Sequence, residues 1–185
     1  GYACEQGSED DVLERYVSVA KTYQADVVVR ITGDCPLVDP HLVDQCVRGF
    51  RAEHADYFSN VSPPSYPDGL DIEVVTFAAL EQAMHESDKP FDREHVTSYV
   101  REDGRFTTSS LQNNKNLSSL RWTVDEPAAF EVITNVFTHF APDIFFSWQR
   151  VLELQLRQPS LFAANQQIIR NEGAVMGKGQ KLWKR

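Results

Sequence analysis

Hydrophobic and polar positions alternate along this chain with two periods, and the switches between them outline its elements. Behind Ser8 and the acidic run Glu9-Asp10-Asp11, Val12, Leu13, Tyr16 and Ala20 repeat at helical spacing. A capping serine with carboxylates in the first turn predicts a helix over residues 9–24. Val27 to Ile31 is a short apolar run and predicts a strand buried on both faces. Asp39-Pro40 opens a second helix with proline at its first position, and Leu42, Val43, Cys46, Val47 and Phe50 give its apolar stripe. Asp56 to Ser59 and Asp71 to Val75 read as strands on either side of the Pro/Gly loop "NVSPPSYPDGL".

Thr76 is placed to cap a helix through His85, and another is expected from Asp92. Phe106 to Leu111 and Leu120 to Val124 predict strands around the polar loop "QNNKNLSS". Helices follow from Pro127 to Phe140, from Trp148 to Leu156 and over 161–169. Strands alternating with helices imply an α/β fold, a three-layer α/β/α sandwich around a mostly parallel sheet.

Composition narrows the function classes. The chain has 185 residues, the size of one domain, and 42% of them are hydrophobic. A formal net charge of −9 argues against a nucleic-acid surface, which needs a basic stripe. It is compatible with nucleotides whose phosphates are met by a divalent cation. No apolar run is long enough to span a bilayer, so no membrane partner is expected. Three cysteines without a Cys-x-x-Cys pair predict reduced thiols and a cytoplasmic setting.

Candidate chemistry sits where strands end. In an open α/β sheet, ligands bind beyond the carboxyl ends of strands. Asp34, in "RITGDCPLVDP", follows one predicted strand, and Asp125, in "LRWTVDEP", follows another. Mg²⁺ takes one or two carboxylates and fills its octahedron with water and phosphates, which suits two such residues on one rim. Turn or helix capping accounts for each residue equally well if they stay apart. Carboxylates ~5 Å apart at an effective dielectric near 20 repel by roughly 3 kcal/mol, so a convergent pair needs a cation or a shared proton.

Asp71 and Glu73 are two apart on a predicted strand and face one side, towards either solvent or a polar pocket. Arg93 and His95 lie at a helix start with no second histidine at metal spacing, which removes zinc. "GAVMGKG" misses the phosphate-loop spacing, and Asp68-Gly69 is a turn signal that requires no function.

Five blocks in one order, "GSEDDVLERY", "ADVVVRITGDCPLVDP", "YPDGLDIEVV", "REHVTSYVRE" and "LRWTVDEPAAFEVI", resemble the cytidylyltransferase family that includes spore coat polysaccharide biosynthesis protein F. That family is similar to the CMP-KDO and acylneuraminate cytidylyltransferases. The resemblance covers about residues 5–170. It implies a nucleotide-diphospho-sugar transferase-like fold and transfer of CMP from CTP to a sugar or sugar acid, with release of pyrophosphate. It also implies Mg²⁺ held by Asp34 and Asp125, and a homodimer. Arg30, Asp71, Glu73, Arg93 and His95 resemble family residues that face the sugar or the subunit partner.

The family's first strand and its basic, glycine-containing triphosphate loop, of the form "QARMGSTRLPGK", have no counterpart in this sequence. The resemblance therefore predicts an N-terminally truncated domain over residues 1–170, inactive alone, followed by a linker over 171–185. The final "GQKLWKR" resembles the lead-in to an aminotransferase domain, which implies a fusion. Two other functions fit the same fold: a glycosyltransferase that consumes a nucleotide sugar, and a non-catalytic binding or dimerisation module.

Overall fold

The computed structural model describes residues 1–165. The expected linker over 171–185, the near-phosphate-loop and the end of the predicted 161–169 helix lie outside the described residues. Contacts divide the chain into two compact units. Unit 1 comprises Gly1–Ile31, Pro40–Pro64 and Asp71–Gln112. Unit 2 comprises Thr32–Asp39, Ser65–Leu70 and the chain from Asn113 onward.

Unit 1 holds helices α1 (Val12–Thr22), α2 (Pro40–Glu53), α3 (Phe77–Glu86), α4 (Pro90–His95) and α5 (Ser98–Glu102). Its strands are β1 (Val27–Arg30), β2 (Tyr57–Ser59), β3 (Glu73–Thr76) and β4 (Thr108–Ser110). They form one sheet in the order β1-β3-β2-β4. The α/β class stands, but the sheet is mixed rather than mostly parallel. β3 pairs antiparallel with both β1 and β2, and β2–β4 is parallel. The reason is topological: alternation of strand and helix makes β1 and β2 run the same way, and β3 then inserts between them in the opposite sense.

The pleat separates two faces. Tyr57 of β2 and Val75 of β3, cross-strand partners, enter the core with Leu13 and Val17 of α1 and Ala79, Leu80 and Ala83 of α3. Their neighbours Phe58 and Val74, also paired, lie on the face where Phe58 meets Gly49 of α2. Helices thus cover both faces, giving three layers.

Two local expectations need correction here. The first helix starts later than predicted, with Asp11 as its N-cap accepting from the Glu14 N–H at 2.9 Å, while Ser8 accepts from the Asp11 N–H. β1 is not buried on both faces: it is an edge strand of the described sheet, and Val27 and Val29 are 39% and 38% exposed. Thr76 does cap α3, accepting from the Ala79 N–H at 3.2 Å.

Unit 2 holds α6 (Pro127–Phe140), α7 (Trp148–Arg157) and a 3-10 helix, Pro159–Asn165. Trp122, fully buried, fixes the stretch before α6 and donates its indole N–H to Gln155 of α7 at 2.8 Å. The predicted strand over 120–124 does not form. Its backbone groups go instead to the Asp68-Gly69 turn: the Asp68 N–H donates to the Leu120 carbonyl at 2.9 Å, and the Trp122 N–H to the Asp68 carbonyl at 2.7 Å. Gly69 has φ +103°, and a Cβ there would lie 2.6 Å from the Trp122 carbonyl, so only glycine permits this approach. No helix among the described residues is long and apolar enough to cross a membrane.

Candidate functional site

The loop carrying Asp34 is shaped by its own turns. The Cys35 N–H returns to the Thr32 carbonyl and the Val38 N–H to the Cys35 carbonyl, both at 3.2 Å. Cys35 and Leu37 are buried, whereas Gly33 is exposed and Asp34 half-buried. Asp39 closes the loop by accepting the Trp148 N–H at the start of α7, at 3.0 Å. Asp34 then meets the second candidate segment directly: the Val124 N–H donates to the Asp34 carbonyl at 2.8 Å. The two carboxylates predicted to share a rim therefore belong to one unit, on backbone segments joined by a hydrogen bond.

Neither residue is a helix cap. The N-cap of α6 is Glu126, whose side chain makes no capping bond. Asp125 is exposed and accepts from the Thr123 hydroxyl at 3.2 Å and from the Arg121 guanidinium. Asp34 accepts the Cys35 thiol at 3.7 Å. Arg121 reaches the other way to Asp68 at 2.7 Å, so one guanidinium bridges two carboxylates. Among the described residues its Nε has no hydrogen-bond partner.

Sequence reasoning missed Arg121 and dismissed Asp68. The available signal was the spacing of Arg121 and Asp125, four apart, which reads as a pair only in a helix and here occurs in irregular chain.

Asp34 and Asp125 are compatible with Mg²⁺, which binds through one or two carboxylates and keeps several waters. The described residues contain no group of three or more His, Cys, Asp or Glu able to hold a metal. Two partly accessible carboxylates leave room for water and phosphate oxygens, as Mg²⁺ requires.

The remaining candidates belong to unit 1. Register places Arg30 of β1 opposite Glu73 of β3, and the two form an ion pair. Glu73 is buried and also accepts from the Tyr57 hydroxyl at 2.7 Å and the Thr97 hydroxyl at 2.5 Å. Burial disfavours the Arg30 charge, but Glu73 outweighs it and holds the guanidinium above its ordinary pKa. Burial pushes the Tyr57 hydroxyl up as well, and Glu73 adds to the rise.

His95 ends α4 with its ring 4.2 Å from that of Phe91. Burial lowers its pKa, Glu94 opposes that fall, and Arg30 and Arg101 add smaller lowering effects. The next residue, Val96, is fully buried at φ +65° in a turn closed by the Thr97 N–H and the His95 carbonyl at 2.7 Å. That strained turn aims the Thr97 hydroxyl at Glu73. Arg93 faces elsewhere: its guanidinium bonds Asp11 and the Met84 carbonyl, tying α4 to the start of α1 and the end of α3. Asp71 precedes β3 and is partly buried.

The family model for cytidylyltransferases matches residues 1–142. The chain belongs to the cytidylyltransferase family. A solved cytidylyltransferase from Leptospira borgpetersenii superposes with a TM-score of 0.83 at 31% identity, covering 89% of this chain and 70% of that one. An uncharacterized protein of Methanocaldococcus jannaschii is 38% identical over 73% of this chain and 56% of its own. The spore coat polysaccharide biosynthesis protein SpsF of Bacillus subtilis is 33% identical over 55% of this chain and 41% of its own. The 3-deoxy-manno-octulosonate cytidylyltransferase of Chlorobium limicola is 30% identical over 52% and 43%. The chain thus spans about half the length of the curated relatives it matches.

Proposed function

We propose that the protein transfers CMP from CTP to a sugar or sugar acid, in the cytoplasm, for surface-polysaccharide synthesis. A sugar hydroxyl oxygen attacks the α-phosphorus of CTP and gives up its proton to water, the bond to the β-phosphate breaks, and pyrophosphate leaves. Asp34 and Asp125 would hold Mg²⁺ and move no proton. Bound Mg²⁺ supplies charge neutralisation on the phosphate oxygens.

Family membership supports the reaction class, and two relatives name the chemistry: one acts in spore coat polysaccharide biosynthesis, the other is a sugar-acid cytidylyltransferase. The observation that carries the site is the hydrogen bond from the Val124 N–H to the Asp34 carbonyl, which brings both carboxylate-bearing segments together.

Titration calorimetry of the full-length protein with CTP tests this reading. Binding is expected only with Mg²⁺ present, and Asp34→Ala weakens it at least about tenfold, the scale of one lost charge–cation contact. Binding of UDP-sugars in place of CTP would show instead a glycosyltransferase of the same fold. Equal CTP affinity in Asp34→Ala would remove Asp34 from the site.

A further inference from the structure

Asp125 is held by a guanidinium, which is an odd neighbour for a cation ligand. A lone arginine would cancel the charge that a divalent ion needs. The second carboxylate resolves the conflict. Arg121 and Asp68 have side chains only 9% and 7% exposed, whereas Asp125 is 42% exposed. The buried pair is neutral in sum, so the outer carboxylate keeps its full negative charge while one of its oxygens is fixed by a directed hydrogen bond.

Asp68 is itself tied down by its backbone. Both its backbone groups bond the 120–122 segment, and the Gly69 turn sits against the Trp122 carbonyl. Arg121 is fixed from behind as well, its carbonyl accepting from the Asn165 side chain at 3.0 Å. The guanidinium is thus held from two sides, and Asp125, the most exposed of the three side chains, bonds to it.

We propose that Asp68 and Arg121 are positioning residues for Asp125: Arg121 orients the carboxylate, and Asp68 cancels the arginine charge so that a divalent cation can still bind. This inference rests on the reading of Asp34 and Asp125 as the cation site. A plain structural staple between the Asp68-Gly69 turn and the 120–125 segment would use the same contacts, but it predicts different energetics.

The test measures Mn²⁺ affinity of the 185-residue chain through the relaxation of water protons. Asp68→Asn keeps an oxygen acceptor for Arg121 and deletes the charge, so the guanidinium becomes an uncompensated cation beside the site. Mn²⁺ affinity falls about tenfold, the effect of one unit charge a few ångströms away in a largely aqueous dielectric. Adding Arg121→Gln to Asp68→Asn removes that charge and restores part of the lost affinity. A staple predicts no change in the single variant, or a further loss in the double one, and either result overturns the proposal.

If Asp68→Asn does not fold, Arg121→Lys carries the test. Lysine keeps the charge but cannot grip two carboxylates in a fixed fork, so affinity drops several-fold; unchanged affinity overturns the proposal. Loss of Mn²⁺ binding in Asp34→Asn with wild-type binding in both the Asp68 and Arg121 variants refutes the positioning role and leaves the cation site standing. Absence of Mn²⁺ binding by the unmodified chain, or its survival in both Asp34→Asn and Asp125→Asn, refutes the site and this inference with it.

Discussion

Single residues in unit 1 make the ion pair under β3 a matter of stability. Glu73 carries one charge, with its side chain 6% exposed, against an arginine side chain that is 19% exposed. Glu73→Gln removes the charge and turns an amide N–H₂ towards either Arg30 or the Tyr57 and Thr97 hydroxyls. Breaking one side of a buried pair costs 3–5 kcal/mol in general, and the partial access of Arg30 to water puts the expected loss near the lower end, about 3 kcal/mol. Urea denaturation measures it as a lower midpoint at unchanged slope. Adding Arg30→Met removes the stranded cation and recovers more than half of the loss; a double variant no more stable than Glu73→Gln would show that the pair is not what the carboxylate holds. The sequence placed Asp34 just past a strand end because that position is local, whereas Asp125 follows a stretch that forms no strand. It could not show that Glu73 has its acceptors filled from inside the unit, since Tyr57 and Thr97 lie far from it in sequence and meet it only through pairing and a strained turn.

Elements were legible where one period ran unbroken. α6 matches its predicted span and α2 its predicted start because apolar residues at three- and four-residue spacing persist for several turns behind a proline. Strand neighbours were not legible: alternation fixes the direction of β1 and β2 but not the insertion of β3 between them. The 120–124 stretch has a strand's composition, yet its hydrogen bonds go to a turn. Helix–sheet packing yields a prediction of its own at Gly49. Helix propensity alone says Ala at this position in α2 should gain about 1 kcal/mol. A Cβ there would fall 2.4 Å from the tip of the Phe58 ring, which is almost wholly buried. Overpacking of that kind costs typically about 1–3 kcal/mol, so the clash wins and Gly49→Ala lowers the melting temperature. Phe58→Leu in the Gly49→Ala background removes the ring tip, and the alanine then becomes less harmful than it is beside phenylalanine. A melting temperature raised by Gly49→Ala alone would mean that α2 moves off the sheet at little cost.

For the molecule as a whole, the outer edge of β1 weighs against the net charge. β1 pairs only with β3 in the described sheet; Val27 and Val29 lie on one face of it at 39% and 38% exposure, and Ile31, just past its end, is 37% exposed. A cavity of about 420 Å³ opens beside it, lined by Tyr16, Val19, Ala20 and Tyr23 on the α1 side and by Val27 and Val28 of β1. Unpaired backbone groups next to branched apolar side chains are a template for another strand. A net charge of −9 repels a second copy. That repulsion is spread over a surface and screened beyond roughly 8 Å at physiological salt, whereas edge pairing acts at contact, so pairing wins once salt is present. The 185-residue chain is therefore expected to associate in a concentration-dependent way, more strongly as salt rises, in sedimentation velocity runs. Val29→Lys places a charge on the exposed face of the edge and shifts the chain towards monomer, with its circular dichroism unchanged. Salt separates the two forces: association that weakens with added salt would mean that opposite charges on different surfaces join the copies, and identical sedimentation of Val29→Lys and the unaltered chain would clear the β1 edge of any part in it.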